Sequence, residues 1–301
     1  MTTPPILPTP TASVKQTGAL KLTIKVPPKR KREDLTVLSM NVAGTDPDEF
    51  GRAVKRLKPD IILTQENPGK TARFSTTLAS TLDDISQDAA VNGEFAYDAP
   101  LLVPEFFTPG LTITTPSNKS FVCYADVSVK KHYAVCFNRR KFRLRKKPAL
   151  VDYTADPHRQ RDLAQITRRE HANEQGFGAR PPIYFELEQI ADNKRIGVFN
   201  WHAPPQNDLN HDVAMDMFEE SEQLAASQRQ NHVTLIAGDF NDRLQNRFGP
   251  FGHGVDQKFD HVRADSAASA RDLRQDHGDV LNTLSTAIQD HYAQAVGFNF
   301  Q

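Results

Sequence analysis

Eight side chains are of types that hydrolytic chemistry uses, and they sit at the ends of runs that read as β-strands: Asn41, Glu66, His202, Asp239 with Asn241, Asp260, and Asp290 with His291. Glu, Asp and Asn oxygens suit Mg²⁺, a hard cation that keeps several waters and takes only one or two carboxylates from a protein. A His beside an Asp suits a general base, because the carboxylate orients the imidazole and stabilises its protonated form. Singly, each has a structural explanation. Asn41 could cap a turn, Glu66 could hold a strand-end salt bridge, and His202 could be a packed histidine behind Trp201. Their joint order carries the weight, because strand ends in a sheet can converge on one crevice.

The elements that must position them are readable from periodicity and punctuation. Residues 35–41 (LTVLSMN) form a run of strand length and composition. Asp46-Pro47-Asp48-Glu49 then predicts a capped helix with Phe50, Ala53, Val54 and Leu57 on one face, ending before Pro59. Residues 60–65 are the next strand, so the chain opens β-α-β, which implies a parallel or mixed sheet. A weaker helix is expected over 73–83, and 84–119 reads as loop. Strands follow at 121–125, 133–137, 183–187, 195–201 and 233–237, with a helix over 209–225 and short strands near 258–263 and 292–298. Strands in both β-α and hairpin contexts suggest two sheets with helices outside, within one domain of 35–301.

Composition narrows the class. The 301 residues carry 37 basic and 37 acidic side chains, which argues against a protein that coats nucleic acid by bulk charge. The charge is uneven, however. Segment 139–180 holds twelve Lys/Arg against five Asp/Glu, either a solvated loop face or a footprint for a polyanion. No run reaches the ~18 apolar residues of a membrane span. The first twenty residues lack the layout of a secretory signal, so a cytoplasmic protein or export by a non-Sec route is expected. Residues 1–34, rich in Pro and Thr and ending near Lys29-Arg30-Lys31-Arg32, read as a flexible arm whose basic cluster suits nuclear import or substrate binding. Cys123 and Cys136 flank a possible hairpin. They suit a reducing compartment, with a single bridge left open.

In order, the motifs are Leu38-Ser39-Met40-Asn41, Gln65-Glu66, Asn200-Trp201-His202-Ala203-Pro204, Ala237-Gly238-Asp239-Phe240-Asn241, Phe259-Asp260-His261-Val262 and Gln289-Asp290-His291-Tyr292. Over residues 35–300 this series resembles the endonuclease/exonuclease/phosphatase superfamily, and Trp201-His202-Ala203-Pro204 is similar to the His-Ser-Ala-Pro of its deoxyribonuclease I branch. The resemblance implies an α/β fold, a four-layered sandwich of two mixed sheets packed face to face with helices outside. It also implies a monomeric Mg²⁺-dependent endonuclease, with Mn²⁺ or Ca²⁺ able to substitute or assist, acting on nucleic acid, DNA in the first place.

The implied roles are specific. Glu66, helped by Asn41 and with Asp290 near by, is the metal site; His291, oriented by Asp260, activates water; Asp239 positions that water or touches metal; Asn241 contacts the phosphate; His202, if protonated, stabilises the transition state. Arg180, ahead of the 183–187 strand, and Arg139 and Arg140, in the basic turn after Phe137, are the implied phosphate contacts. There are departures. Lys131 falls near the place where the deoxyribonuclease branch pairs a Glu with its first histidine, so the sequence identifies no carboxylate for His202. Gln289 and Ala293 also replace the usual Ser and Pro.

Two other readings stay open. Gly238-Asp239-Phe240-Asn241-Asp242-Arg243 also fits the Gly-Asp-x-Asn-x-Arg pattern of inositol polyphosphate 5-phosphatases, although their Trp-x-Asp-Arg signature is missing. A catalytically inactive binding module is the second. A sphingomyelinase lacks support, since no aromatic membrane hairpin is visible.

Overall fold

The computed structural model describes residues 33–68, 72–88, 94–104, 112–114, 120–122, 132–152, 181–206, 211–244, 247–257, 259–267, 269–284 and 292–300. In chain order the elements are β1 (Leu35–Asn41), α1 (Pro47–Leu57), β2 (Ile61–Asn67), α2 (Arg73–Gln87), β3 (Leu101–Pro104), β4 (Thr112–Thr114), β5 (Ser120–Val122), β6 (His132–Phe137) and β7 (Phe142–Leu150). They continue with β8 (Ile183–Gln189), β9 (Arg195–His202), α3 (His211–Glu219), α4 (Glu222–Gln230), β10 (Val233–Asp239), β11 (His253–Gln257), β12 (Asp260–Ala264), β13 (Ser269–Asp272), α5 (Arg274–Leu281) and β14 (Gln294–Asn299).

One six-stranded sheet has the order β13-β14-β1-β2-β6-β3 and the other β11-β12-β10-β9-β8-β7; β4 and β5 pair separately. Each six-stranded sheet contains one parallel pair, β1 with β2 and β9 with β10, joined by helical crossovers, and its other pairings are antiparallel. Alternation along the strands builds the layers. Val37, Leu63, Val135, Phe185, Val198, Leu235, Val262 and Val296 point between the sheets and form one core. Leu38, Met40 and Ile62, on the opposite face of their strands, pack with Phe50, Val54, Leu78 and Leu82 of α1 and α2. Phe199, Trp201, Ile236 and Phe240 pack outward with Met215, Phe218 and Leu224 of α3 and α4. Helices, sheet, sheet and helices make the expected four-layered α/β sandwich.

Local expectations are met unevenly. The Asp46 side chain accepts from the Asp48 and Glu49 N–H groups at 2.8 and 3.2 Å, and those bonds hold its carboxyl below the usual range. Pro47 is the first residue of α1 and Lys58 ends it in the left-handed region. The helix expected over 209–225 is two. Ser221 accepts from the Leu224 N–H at 3.2 Å and starts α4 afresh. The basic stretch after Phe137 holds a nine-residue edge strand, β7, where a loop face or charge footprint was expected. Its Lys and Arg side chains suit an unpaired sheet edge and conceal the apolar alternation of a strand. Strands β3, β11 and β13 and helix α5 also escape the sequence reading. Around 121–125 only β5 is described, ending at Val122. Cys136 is a buried free thiol, which burial pushes up in pKa, and Cys123 lies outside the described residues, as do residues 1–32. Among the described residues no helix is long and apolar enough to cross a membrane.

Candidate active site

The two parallel pairs end at the same side of the sandwich. Asn41 and Gln65 are in register at the ends of β1 and β2, and His202 and Asp239 are in register as the last residues of β9 and β10. Strand β12 runs the other way, so its first residue, Asp260, lies opposite Asp239. One sheet thus supplies Asn41 and Glu66 while the other supplies His202, Asp239, Asn241 and Asp260. A direct bond joins the walls: Asn41 Nδ2 donates to Asp239 Oδ2 at 3.0 Å.

Backbone irregularities aim these groups. The pairing of β2 with β6 shifts register between Thr64 and Asn67, and Glu66 has φ 56°, so a bulge turns this carboxylate out of the strand alternation. Asn241 has φ 50°, which lets its N–H donate to Asp239 Oδ1 at 2.9 Å while its Nδ2 donates to the Ala203 carbonyl at 2.8 Å. Gly238 has φ 133°, and a Cβ there would drive into the Trp201 carbonyl of the neighbouring strand. That is the reason this motif begins with glycine. Behind it, Trp201 meets Phe240 and Phe218 edge-on at 5.4 and 5.0 Å between ring centres, giving the turn a close-packed support.

The electrostatics centre on His202. Its Nε2 lies 3.4 Å from Glu66 Oε1 and 3.6 Å from Asp239 Oδ2, and its side chain is 4% exposed. The carboxylates that the sequence left unidentified for this histidine are therefore the ones it assigned to metal binding and to water. The backbone of His202 is held too: its N–H donates to Tyr133 Oη at 3.1 Å, and that hydroxyl donates to the Pro181 carbonyl at 3.3 Å. Asp239 is fully buried, and the Asn41 amide and Asn241 N–H compensate its charge. Asn41 Oδ1 accepts from the Ala43 N–H at 3.1 Å, leaving a second lone pair. Among the described residues no three His, Cys, Asp or Glu side chains form a protein-only metal cage. Glu66, Asp239 and Asn41 nevertheless present oxygen donors alone, a set whose hardness fits Mg²⁺ with water completing its shell.

Asp260 receives the Tyr292 N–H at 3.0 Å, which brings the last residue of the final motif to the same crevice. Asp290, His291 and Arg180 lie outside the described residues, although their neighbours Tyr292 and Pro181 are held at this end. Arg139 and Arg140 are not brought to it. Strand β6 runs antiparallel to β2 and pairs Phe137 with Ile61, so the turn that follows sits at the opposite end of the sheet. Glu66 stands five steps along the strand from Ile61, about 17 Å. Arg139 there faces Asp98 at 3.4 Å, which corrects the expectation of a phosphate contact at the catalytic end. The excess charge of the basic segment is also offset in part, because Arg143 and Arg145 both engage the buried Glu188.

Three residues that brace the site were given no role by the sequence. Gln65 Nε2 donates to Asn200 Oδ1 at 2.5 Å and to Ser39 Oγ at 3.3 Å, and Asn200 Nδ2 donates across the sheets to the Thr64 carbonyl at 3.2 Å. Gln65 and Asn200 stand inside motifs, where no role was assigned to them. A polar residue at an inward position of a buried strand is the signal that marks them. Tyr133 opens a strand that the sequence marks, but nothing there points to the hydroxyl bond to His202.

The chain matches no protein-family model and no curated protein sequence. Solved structures do match. The human Nocturnin catalytic domain, with a bound sulfate anion, superposes with a TM-score of 0.50 at 14% identity, covering 89% of this chain and 93% of that one. An endonuclease/exonuclease/phosphatase family protein from Bacteroides thetaiotaomicron gives 0.49 at 14% identity, covering 89% and 98%. A mannosyl-6-phosphatase from the same bacterium gives 0.49 at 14% identity, covering 88% and 100%. At such identities the likeness speaks to the fold.

Proposed function

The chain has the four-layered fold of the endonuclease/exonuclease/phosphatase superfamily, and on that premise we propose that it is a divalent-metal-dependent phosphoester hydrolase, an endonuclease acting on DNA. One observation carries this reading: the Glu66 and Asp239 carboxylates, from different sheets, both face His202 Nε2 within 3.6 Å at a shared strand-end crevice. Opposed acidic and imidazole groups of this kind suit attack on phosphorus, where charge builds on several oxygens together.

Glu66 with Asn41 would hold the metal, Mg²⁺ first, with Mn²⁺ or Ca²⁺ as substitutes or assistants, and the metal would supply Lewis-acid stabilisation of the charge that builds on the phosphate. Asp260 orients His291, which takes a proton from the attacking water. The support is the Tyr292 N–H bond to Asp260, one residue from that histidine. Water oxygen bonds to phosphorus in line as the opposite ester P–O bond breaks. His202 donates from Nε2 to the developing oxyanion. Asn241 contributes an amide to the phosphate, and Asp239 holds both Asn241 and Asn41 in place. Asp290 supports the final strand's geometry or the metal, and Arg180, just before Pro181, grips a flanking phosphate.

A phosphatase reading draws on the Asp239-x-Asn241-x-Arg243 spacing. Supercoiled plasmid, RNA, an abasic duplex and a phosphoinositide, each with Mg²⁺ or EDTA, separate the alternatives. The expected result is plasmid nicking that needs Mg²⁺, weakens with salt, and falls at least about 10³-fold in Glu66→Gln. Phosphate release from the phosphoinositide without nicking would replace the nuclease reading by the phosphatase one. An inactive protein without Mg²⁺ binding that Glu66→Gln abolishes, measured by calorimetry, would leave the fold as a binding module.

A further inference from the structure

His261 follows Asp260 but faces away from it. Val262 and Ala264 of β12 point into the core between the sheets, so the alternate residues His261 and Arg263 point to the outer face. There the His261 ring lies edge-on to Phe240 at 5.6 Å between ring centres, and its side chain is fully buried. Its Nδ1 is 2.7 Å from Asp256 Oδ1 on β11, and its Nε2 is 2.6 Å from the carbonyl oxygen of Asp242. Neither partner has a proton to give. Asp256 is itself held ionised: burial works against its charge, but the bonds from His261 and Arg263 outweigh that and keep its carboxyl well below the ordinary range. The ring satisfies both neighbours only by donating from both nitrogens.

The Asp242 carbonyl belongs to the turn that carries Asn241, whose φ of 50° is uncommon for a residue other than glycine. Such a conformation persists only where the surroundings over-determine it. Asn241 is tied on one side to Asp239 and Ala203, and the His261 bond to the next residue closes the other side. We propose that His261 is a positioning residue: anchored by Asp256, it clamps the Asp242 carbonyl and so holds the Asn241 amide where the scissile phosphate is bound. This rests on the hydrolase reading for its catalytic consequence. The clamp itself does not.

Two replacements split the two bonds. Glutamine places its amide nitrogen near the site of Nε2 and keeps a donor for the Asp242 carbonyl, whereas asparagine places one near Nδ1 and serves Asp256 alone. His261→Gln is expected to keep kcat within about threefold of the parent on the hydrolysed substrate, while His261→Asn loses about tenfold or more in kcat. Hydrogen exchange of residues 240–244 in the full chain without metal is expected to quicken in His261→Asn and to stay slow in His261→Gln. Equal kcat and equal exchange in the two variants would overturn the proposal. Asp256→Ala removes the anchor while leaving the ring, and it carries the test if neither His261 variant folds: faster exchange at 240–244 with exchange elsewhere unchanged supports the clamp, and exchange at 240–244 equal to the parent's overturns it. If the parent hydrolyses none of the substrates, the hydrolase reading fails while the exchange result still decides the clamp.

Discussion

His202 takes its role from what its Nε2 faces. Two carboxylates within 3.6 Å suit a donor at that nitrogen, which is what the proposed chemistry asks of it at a phosphate oxygen or a departing alkoxide. The expected outcome for His202→Gln is a fall in kcat of about 10²-fold or more with little change in the circular dichroism spectrum. Turnover within threefold of the parent would remove His202 from the chemistry. The sequence made this residue recognisable through Trp201-His202-Ala203-Pro204, yet it was silent on the partners, because they come from β2 and β10. Glu66 was legible as a type and as a strand end. The bulge that aims it was not, since nothing local in Gln65-Glu66-Asn67 spells a positive φ. Glycine is the exception, for Gly238 announces its own conformation.

At the scale of elements, strands with apolar runs were legible and strands with charged faces were not. Strand β1 matches its expected bounds from Leu35 to Asn41, and α1 begins at the Pro that follows its Asp cap. Strand β7, with Arg143, Arg145, Lys146 and Lys147, was hidden by the charge that suits an edge. Strand β11 was hidden differently, its Gly254, Asp256 and His253 offering little strand propensity. Yet β11 carries Asp256, which ties it to His261 and Arg263 of β12. A carboxylate whose pKa is lowered on folding adds stability above its unfolded value, near 4, and loses it as the pH falls towards the folded value. Replacing Asp256 by Asn should therefore lower the melting temperature at neutral pH. The gap between variant and parent should close steadily below about pH 4. A gap that stayed constant from pH 7 to pH 3 would show that this carboxylate is not held ionised by the fold.

At the scale of the molecule, each sheet delivers site residues from the ends of its one parallel pair, and the facing sheets are stitched beneath them by Asn41 to Asp239 and by Gln65 to Asn200. The α/β class and paired sheets were legible from the alternation of element types; the stitching was not, because it joins residues 135 positions apart. Gln65→Met and Asn200→Leu should each destabilise the protein by about 1–3 kcal/mol, since each strands a buried polar partner. The double variant should cost less than the sum of the two by about 1 kcal/mol or more, as read from urea melts. Strict additivity would deny that the pair couples the sheets. A crevice walled by two facing sheets inherits its width from the filling between them. Side chains such as Val198 and Val296 are buried between the sheets, and their bulk spaces the walls as a shim spaces a jaw. Trimming or enlarging that filling would alter how widely the jaw is set, leaving every strand-end side chain in place.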